Sequence, residues 1–169
     1  IITYVVDGAL EHKDSMGTGS VIRPGDVQRM SAGRGVAHSE YNHSDRDLVH
    51  LLQIWILPAE DGIEPSYEQK HFAPAERRGV LRLVASGDAR RGSIRIHQDA
   101  DLYATILDGR ESLRHELRPG RAAWLQLVRG ELSVNGETVR AGDGAALADE
   151  AAVDITAHAP SEALLFDLA

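Results

Sequence analysis

The chain has 169 residues, 43% hydrophobic and 26% charged, which is the composition of ordinary globular domains and allows one domain or two small ones. Its net charge of -8 disfavours a nucleic-acid partner, and no apolar run has the roughly 18 to 20 residues that cross a membrane. Because there is no cysteine, any transition-metal site must use imidazole and carboxylate ligands. With no visible signal peptide, we expect a cytoplasmic protein.

Short strand-like segments separated by Gly, Pro, Asp and Asn run through the whole sequence, and helical periodicity is nearly absent. The pattern predicts antiparallel barrels or sandwiches. The predicted strands, in chain order, are Ile1–Val6, Ala9–Asp14, Gly19–Ile22, Asp26–Met30, Val36–Tyr41, Leu48–Leu57, Val80–Val84, Ile94–Gln98, Leu102–Leu107, Leu113–Leu117, Arg121–Val128, Gly130–Val134, Glu137–Arg140, Gly144–Leu147, Ala151–Ala157 and Glu162–Leu168.

The first strand begins at Ile1 without an initiator Met, so we expect an N-terminal portion to be missing from the sequence. A pattern of strand, x-Gly-x-Leu, hairpin, strand and x-Gly-Asp occurs twice, and Gly130 follows Gly8 by 122 residues. The repeat predicts two related β-domains. We place them at residues 1–57 and 79–169, with residues 58–78 as the polar connection.

The motif His38-Ser39-Glu40 follows a turn that contains Gly33 and Gly35. On a strand, residues two apart share a face, so His38 and Glu40 are predicted to project side by side. An imidazole and a carboxylate suit a divalent metal with open coordination positions. Taken alone the motif is weak, and the alternative is a solvated or mutually paired histidine and glutamate at a strand end.

Residues 1–57 resemble the N-terminal cupin of the pirin family, particularly its bacterial quercetinase-like members, and the resemblance continues over essentially the whole chain. The residues that carry it are Thr3-Tyr4-Val5, Leu10-Glu11-His12-Lys13-Asp14-Ser15-Met16-Gly17, Pro24-Gly25-Asp26-Val27-Gln28, Met30-Ser31-Ala32-Gly33, His38-Ser39-Glu40-Tyr41-Asn42, Gln53-Ile54-Trp55-Ile56, Pro65-Ser66-Tyr67-Glu68-Gln69, His97-Gln98-Asp99, Leu102-Tyr103 and Leu164-Leu165-Phe166-Asp167-Leu168.

The resemblance implies an all-β double cupin with an incomplete N-terminal barrel and a metal-free C-terminal barrel. It also implies one divalent metal, with Fe(II) expected and Zn, Ni, Mn or Cu as alternatives, held by three histidines and one glutamate. His38 and Glu40 match the second cupin motif of the family. The other two histidines belong to an H-x-H motif before Ile1, so this chain carries half of the expected ligand set.

The resemblance further implies a quercetin 2,3-dioxygenase-like activity on a flavonol and O2, with Glu40 accepting a proton from the substrate. One alternative is a non-enzymatic regulatory or redox-responsive binding protein. Another is a truncated, metal-free form that self-associates through open sheet edges.

Other aromatic and histidine side chains are assigned by their neighbours in the sequence. His12 either approaches the barrel cavity or lies on a surface hairpin, and His43 is expected in an exposed loop. His50, Trp55 and Trp124 are expected in the core because each lies in an apolar run. The remaining histidines are His97, for which we expect a structural role between domains, and His71, His115 and His158, for which the sequence shows no convergent partner.

Overall fold

A computed structural model describes residues 1–169 and consists mainly of β-strands joined by tight turns. Neither of its two short helical segments has the length and apolar composition needed to cross a membrane. The elements in chain order are β1 (Ile2–Asp7), β2 (Leu10–Asp14), β3 (Gly19–Ile22), β4 (Asp26–Ser31), β5 (His38–Asn42), β6 (His50–Ile54), β7 (Ser66–His71), α1 (Pro74–Arg77), β8 (Arg82–Ser86), a 3₁₀ turn (Arg90–Gly92), β9 (Ile94–Arg95), β10 (Ala100–Leu107), β11 (Ser112–Glu116), β12 (Ala122–Arg129), β13 (Glu131–Val134), β14 (Glu137–Arg140), β15 (Gly144–Leu147), β16 (Ala152–Ala157) and β17 (Ser161–Leu168).

The chain forms two compact units that are interleaved in sequence. Unit 1 comprises Ile1–Phe72 and Ile94–Gln98, and unit 2 comprises Ala73–Ser93 and Asp99–Ala169. The stretch 58–78, which we expected to be a connection, contains strand β7. This strand pairs antiparallel with the whole of β4 and so belongs to the first sheet of unit 1.

Unit 1 contains two antiparallel sheets. The first has the strand order β6-β1-β4-β7 and the second has the order β3-β2-β5. Val5 of the first sheet packs against Leu10 and Ile22 of the second, and all three are at most 5% exposed. Because side chains alternate across a strand, Thr3 shares the inner face with Val5, and His12 shares it with Leu10.

Unit 2 has the same two-sheet construction with a larger core. Its strands follow the orders β15-β12-β17-β10-β8 and β11-β16-β13-β14. Apolar side chains of both sheets meet between them, among them Leu125, Leu127, Leu132, Val153 and Ile155, none of which is exposed to solvent. This burial of aliphatic side chains is the main stabilising contribution to the unit.

One six-strand arrangement occurs in both units, in agreement with the two related β-domains that the sequence repeat predicts. In unit 1, β1 pairs with β6 and β4, and β2 pairs with β3 and β5. In unit 2, β12 pairs in the same way with β17 and β15, and β13 pairs with β14 and β16. Unit 2 adds β10 and β11, which pair with the far sides of β17 and β16. Strands β6 and β5 each have one sheet neighbour.

The repeated glycine of this unit has a steric reason. Gly8 and Gly130 adopt φ values of +75° and +96°, which favour glycine. A Cβ atom at Gly8 would overlap the backbone carbonyl oxygen of Leu48, and one at Gly130 would overlap that of Pro160. Both positions therefore require glycine, because the chain returning to the sheet passes directly over them.

Three residues expected in the core are exposed instead. Trp55 is 78% exposed because it follows the last residue of β6, so the apolar run extends beyond the strand. His50 begins β6 and is also exposed. Trp124 is 39% exposed because it lies on the outer face of β12, where its ring covers Gly144, while its neighbours Ala123 and Leu125 face the core.

Candidate functional site

Strand β5 holds His38 and Glu40 on one face, and its pairing with β2 brings two further polar side chains to them. In the register of these strands Glu40 lies opposite His12, and His38 lies opposite Asp14. Directly opposed residues of an antiparallel pair share a face, so all four side chains project towards the inside of unit 1. His38 is exposed, whereas the Glu40 side chain is only 16% exposed.

His12 is fully buried and links the two carboxylates. The sequence left open whether His12 approaches the barrel cavity or lies on a surface hairpin. In the structure it projects towards the inside of unit 1. Its Nε2 lies 3.1 Å from Asp14 Oδ2, its Nδ1 lies 3.6 Å from Glu40 Oε1, and its ring centroid is 5.8 Å from that of His38. An ionised carboxylate only accepts hydrogen bonds, so His12 Nε2 carries the donated proton and Nδ1 faces Glu40.

The hydrogen bonds that Asp14 accepts favour its ionised carboxylate, which is the form that accepts the hydrogen bond from His12 Nε2. Burial raises the pKa of Asp14, but hydrogen bonds from His12 and from the amides of Thr18 and Met16 together outweigh burial. The pKa of Asp14 therefore lies below its ordinary value, and the carboxylate fixes the ring orientation of His12.

Glu40 is held from the other sheet by Gln53. Gln53 Nε2 donates a hydrogen bond of 2.8 Å to Glu40 Oε2, and Trp55 Nε1 donates one of 3.3 Å to Gln53 Oε1. Because the indole nitrogen only donates, it determines which end of the Gln53 amide faces Glu40. One carboxylate oxygen of Glu40 is thereby bound, and the other points towards His12.

A polar row crosses the inner face of the first sheet. Gln53 lies opposite Thr3, Thr3 lies opposite Gln28, and Gln28 lies opposite Gln69. Gln69 Oε1 accepts a 2.8 Å hydrogen bond from the Tyr67 hydroxyl, and the Tyr67 ring lies 5.1 Å from that of His12. Burial raises the pKa of Tyr67, as do nearby carboxylates including that of Glu40, so this hydroxyl remains a neutral donor.

The sequence did not assign a role to this row. Gln53 lies between Leu52 and Ile54 and shares its face of β6 with Leu51, whereas Gln28 shares its face of β4 with Asp26 and Met30. The polar residue beside Leu51 on β6 was the available indication. Only the pairing of four strands shows that these amides form one row.

The donors of this site match a divalent metal in type but are few in number. Imidazole and carboxylate are common ligands of such ions, and His38 and Glu40 are the two that the motif contributes. His12 Nε2 is already engaged by Asp14. Residues 1–169 contain no group of three or more His, Cys, Asp or Glu side chains placed to hold a metal ion. His38 and Glu40 remain the two donors that the motif predicts.

Two histidines that the sequence left without partners are paired in the structure. His71 Nδ1 lies 2.8 Å from Asp26, and His115 Nε2 lies 2.8 Å from the buried carboxylate of Asp167. The expectation for these two was wrong because their partners are 45 and 52 residues away in sequence. His43 lies in an exposed turn as expected and contacts Glu11.

Comparison with known proteins identifies the family. The family model described as Pirin matches residues 1–56, and the one described as Quercetinase C-terminal cupin domain matches residues 83–168. A quercetin 2,3-dioxygenase of Escherichia coli strain K12 is 46% identical over 99% of this chain and 71% of its own length. A pirin-like protein of Caulobacter vibrioides is 39% identical over 100% of this chain and 73% of its own length.

Solved structures agree with the sequence comparison. The crystal structure of YhhW from Escherichia coli superposes with a TM-score of 0.95 at 45% identity, over 99% of this chain and 70% of that one. The bacterial pirin YhhW in complex with nickel(II) superposes with a TM-score of 0.93 at 46% identity, over 99% of this chain and 71% of that one. The double-cupin fold that the sequence predicted is thus confirmed, and the chain belongs to the pirin family.

Proposed function

We propose that this chain is a metal-dependent dioxygenase that cleaves flavonols such as quercetin at the 2,3-bond, and that His38 and Glu40 are metal ligands. The relative of 46% identity is a quercetin 2,3-dioxygenase, and a related pirin structure contains nickel(II). These findings support a divalent metal, and Fe(II) is our specific proposal. The metal would be held by His38 and Glu40 together with solvent, substrate or other donors from outside residues 1–169.

The observation that carries the proposal is the asymmetric environment of the Glu40 carboxylate. Gln53 occupies Oε2, while Oε1 lies 3.6 Å from His12 Nδ1 and is not hydrogen-bonded. A carboxylate held at one oxygen presents the other in a fixed direction, which is what a general base requires. We assign Glu40 Oε1 as the atom that accepts the proton of the flavonol 3-hydroxyl.

The remaining residues orient this base. Asp14 accepts from His12 Nε2, so the His12 ring is fixed beside Glu40 and limits rotation of the carboxylate. The metal, when bound, supplies Lewis-acid and redox chemistry for the substrate oxygens and O2. In the overall reaction O2 adds across the heterocycle, which opens with release of carbon monoxide.

The test is quercetin depletion by protein loaded anaerobically with Fe(II) or Ni(II), measured against the same concentration of free metal. Glu40→Gln keeps the size of the side chain and removes the base, so we expect the rate to fall by about 10²- to 10⁴-fold. His38→Ala is expected to lower the bound metal. His43→Ala is the matched control, because His43 is an exposed histidine close in sequence that contacts Glu11.

Quercetin consumption no faster than with free metal contradicts the proposal, as does a Glu40→Gln variant as active as the original chain. Stoichiometric metal binding without turnover would instead favour the regulatory or redox-responsive alternative.

A further inference from the structure

A cavity of about 180 Å³ lies in unit 1, on the outer face of the first sheet. Ile2 of β1 and Arg29 of β4 line it and lie opposite each other in register. Because side chains alternate along a strand, these two point away from Thr3 and Gln28, which face the inside of unit 1. We call this space the Arg29 cavity; its lining includes Ile2, Arg29, Ser31, Ile63, Ile96 and His97.

The walls of the Arg29 cavity are mainly apolar and enclose the space of one six-membered ring. Ile2 and Ile96 are at most 5% exposed, and Ile63 is partly buried. An apolar cavity of about 150 Å³ can hold a benzene molecule. Ala32 and Pro58 also line the cavity and are exposed, so it is open to solvent on their side. A ligand with an apolar body the size of one ring can therefore enter and fit.

The loops that bound the cavity are fixed by backbone hydrogen bonds. The Arg34 amide donates one of 3.0 Å to the Ile63 carbonyl, and the Ala59 amide donates one of 2.7 Å to the His97 carbonyl. The turn before Arg34 approaches so closely that a Cβ atom at Gly33 would overlap the Ile63 carbonyl oxygen. The cavity is thus formed before a ligand arrives, which lowers the entropic cost of binding.

A buried cation forms part of the wall. Arg29 is 7% exposed, and its guanidinium donates to Ser31 Oγ, Ser66 Oγ, Glu68 Oε2 and the backbone oxygen of Arg95. A guanidinium has five N–H groups, so these four acceptors leave one N–H on Nη2 for a ligand. Nη1 lies 3.3 Å from the Ser31 hydroxyl, which lines the cavity as well. The charged end of Arg29 is therefore at the cavity.

The positive charge of Arg29 is only partly compensated. Its acidic partner Glu68 also pairs with Lys70, whose Nζ lies 2.8 Å from Glu68 Oε1, so two cations share one carboxylate. Burial lowers the pKa of Arg29 more than Glu68 raises it. No acidic side chain lines the cavity. Because a buried charge is unfavourable until it is paired, an anion in the cavity would complete the charge balance.

We propose that the Arg29 cavity binds a small apolar monocarboxylate, such as the anion of an aromatic acid with one ring. The carboxylate pairs with Arg29 and accepts a hydrogen bond from the His97 imidazole. The ring packs against the isoleucine side chains of the wall. A phosphate ester would bring a second negative charge that the lining does not match, and a neutral ring would leave the charge of Arg29 uncompensated. The cavity is separated from the proposed metal site by the first sheet.

Isothermal titration calorimetry on the metal-free 169-residue chain at pH 7 tests the proposal with benzoate and benzamide. The two probes have the same ring and nearly the same size, but only benzoate is charged. Hydrogen bonds to an ionised group are about twice as strong as neutral ones, so we expect benzoate to bind at least about 10-fold more tightly than benzamide.

Arg29→Met removes the charge and keeps an unbranched side chain. We expect the affinity for benzoate to fall about 10-fold, to that for benzamide, while the affinity for benzamide changes less than about 2-fold. Arg46→Met is the matched control, because Arg46 is an arginine of unit 1 that is 87% exposed and does not line the cavity. It should leave both affinities unchanged.

His97→Phe is the second variant, and it provides the test if Arg29→Met does not fold. Phenylalanine keeps an aromatic ring and removes both nitrogens, so benzoate should bind about 3- to 10-fold more weakly and benzamide less than about 2-fold. Ile63→Trp fills the cavity and should abolish binding of both probes, which locates the site.

Any of four results would overturn the proposal. These are no saturable binding of benzoate up to about 10 mM, equal affinities for benzoate and benzamide, a benzoate affinity that neither Arg29→Met nor His97→Phe lowers, and unchanged binding by Ile63→Trp. Because the assay needs neither metal nor flavonol, the outcome is independent of the proposed dioxygenase. Failure of quercetin oxidation leaves the Arg29 cavity untouched, and failure of benzoate binding leaves the dioxygenase untouched.

Discussion

Gln53 donates a hydrogen bond of 2.8 Å to Glu40 across the inside of unit 1, joining strand β6 of one sheet to strand β5 of the other. The amide cannot be reversed without losing the bond from Trp55, because its oxygen accepts from the indole nitrogen. The orientation of the proposed base is thus determined by a residue that is neither a metal ligand nor acidic.

We predict that Gln53→Leu lowers kcat for flavonol oxidation by about 10-fold, with KM nearly unchanged, because a released carboxylate spends less time in the productive orientation. The melting temperature should change by less than about 2 °C, since the lost hydrogen bond is exposed to solvent. Gln126→Leu is the control, because Gln126 bonds two backbone carbonyls in unit 2. A rise in KM with constant kcat would contradict this prediction and show that Gln53 contributes to substrate binding instead.

Arg121 and Asp167 form a buried ion pair in unit 2. The guanidinium contacts the Asp167 carboxylate and its backbone oxygen, both groups are 7% exposed, and His115 binds the same carboxylate. Arg121→Ala leaves a buried charge without its cation and should lower the free energy of unfolding by about 3–5 kcal/mol.

Chemical denaturation measures this loss. Arg114→Ala is the control, since Arg114 forms exposed pairs on β11 and should cost less than about 1 kcal/mol. Adding Asp167→Asn to Arg121→Ala should recover part of the loss, because it removes the unpaired charge. Equal effects of the two single arginine variants would contradict the importance of the buried pair.

The repeated glycines provide a backbone prediction. Gly8→Ala and Gly130→Ala each combine a left-handed φ with overlap against a carbonyl oxygen, so each should cost more than about 2 kcal/mol. Gly17→Ala has a φ of +91° but no atom within 4 Å of its Cβ, and it should cost only about 1 kcal/mol. Thermal denaturation of the three variants separates backbone strain from overlap.

The stability of unit 1 should depend on pH through Glu68. Burial raises the pKa of Glu68, but hydrogen bonds from Lys70 and from the Arg95 amide, with the charge of Arg29 nearby, outweigh burial and lower it. A carboxyl whose pKa is lowered by folding stabilises the fold above its unfolded pKa of about 4.3, and this stability is lost as the pH falls through the folded pKa.

The melting temperature should therefore begin to fall as the pH drops below about 4.5. Glu68→Gln should melt lower at pH 7 and show a flatter dependence in the acidic range. Glu64→Gln is the control, because Glu64 pairs with Arg34 in an exposed position. Parallel curves for Glu68→Gln and the original chain would show that Glu68 does not contribute.

The strands were predictable wherever apolar and polar residues alternate, and the repeat predicted two related β-domains, whereas the pairing of the strands came from the structure. Strand β7 was missed because its inward residues, Tyr67 and Gln69, are polar and its outward residues are charged. The motif around His38 was visible because its residues are two apart. His12 reaches Glu40 through the pairing of β2 with β5, and Gln53 reaches it from the other sheet, so the sequence alone did not join either residue to the motif.

Strands β5 and β6, which carry Glu40 and Gln53, each form a hydrogen-bond ladder on one side, whereas the corresponding β16 and β17 form ladders on both. Amide protons along an open edge exchange with solvent more readily, and local opening begins where cross-strand support is least. Within residues 1–169 the proposed base and its orienting amide therefore lie on edge strands, where local opening is easier than at β16 and β17. We expect heating to disturb the geometry around Glu40 before the paired strands of unit 2 separate.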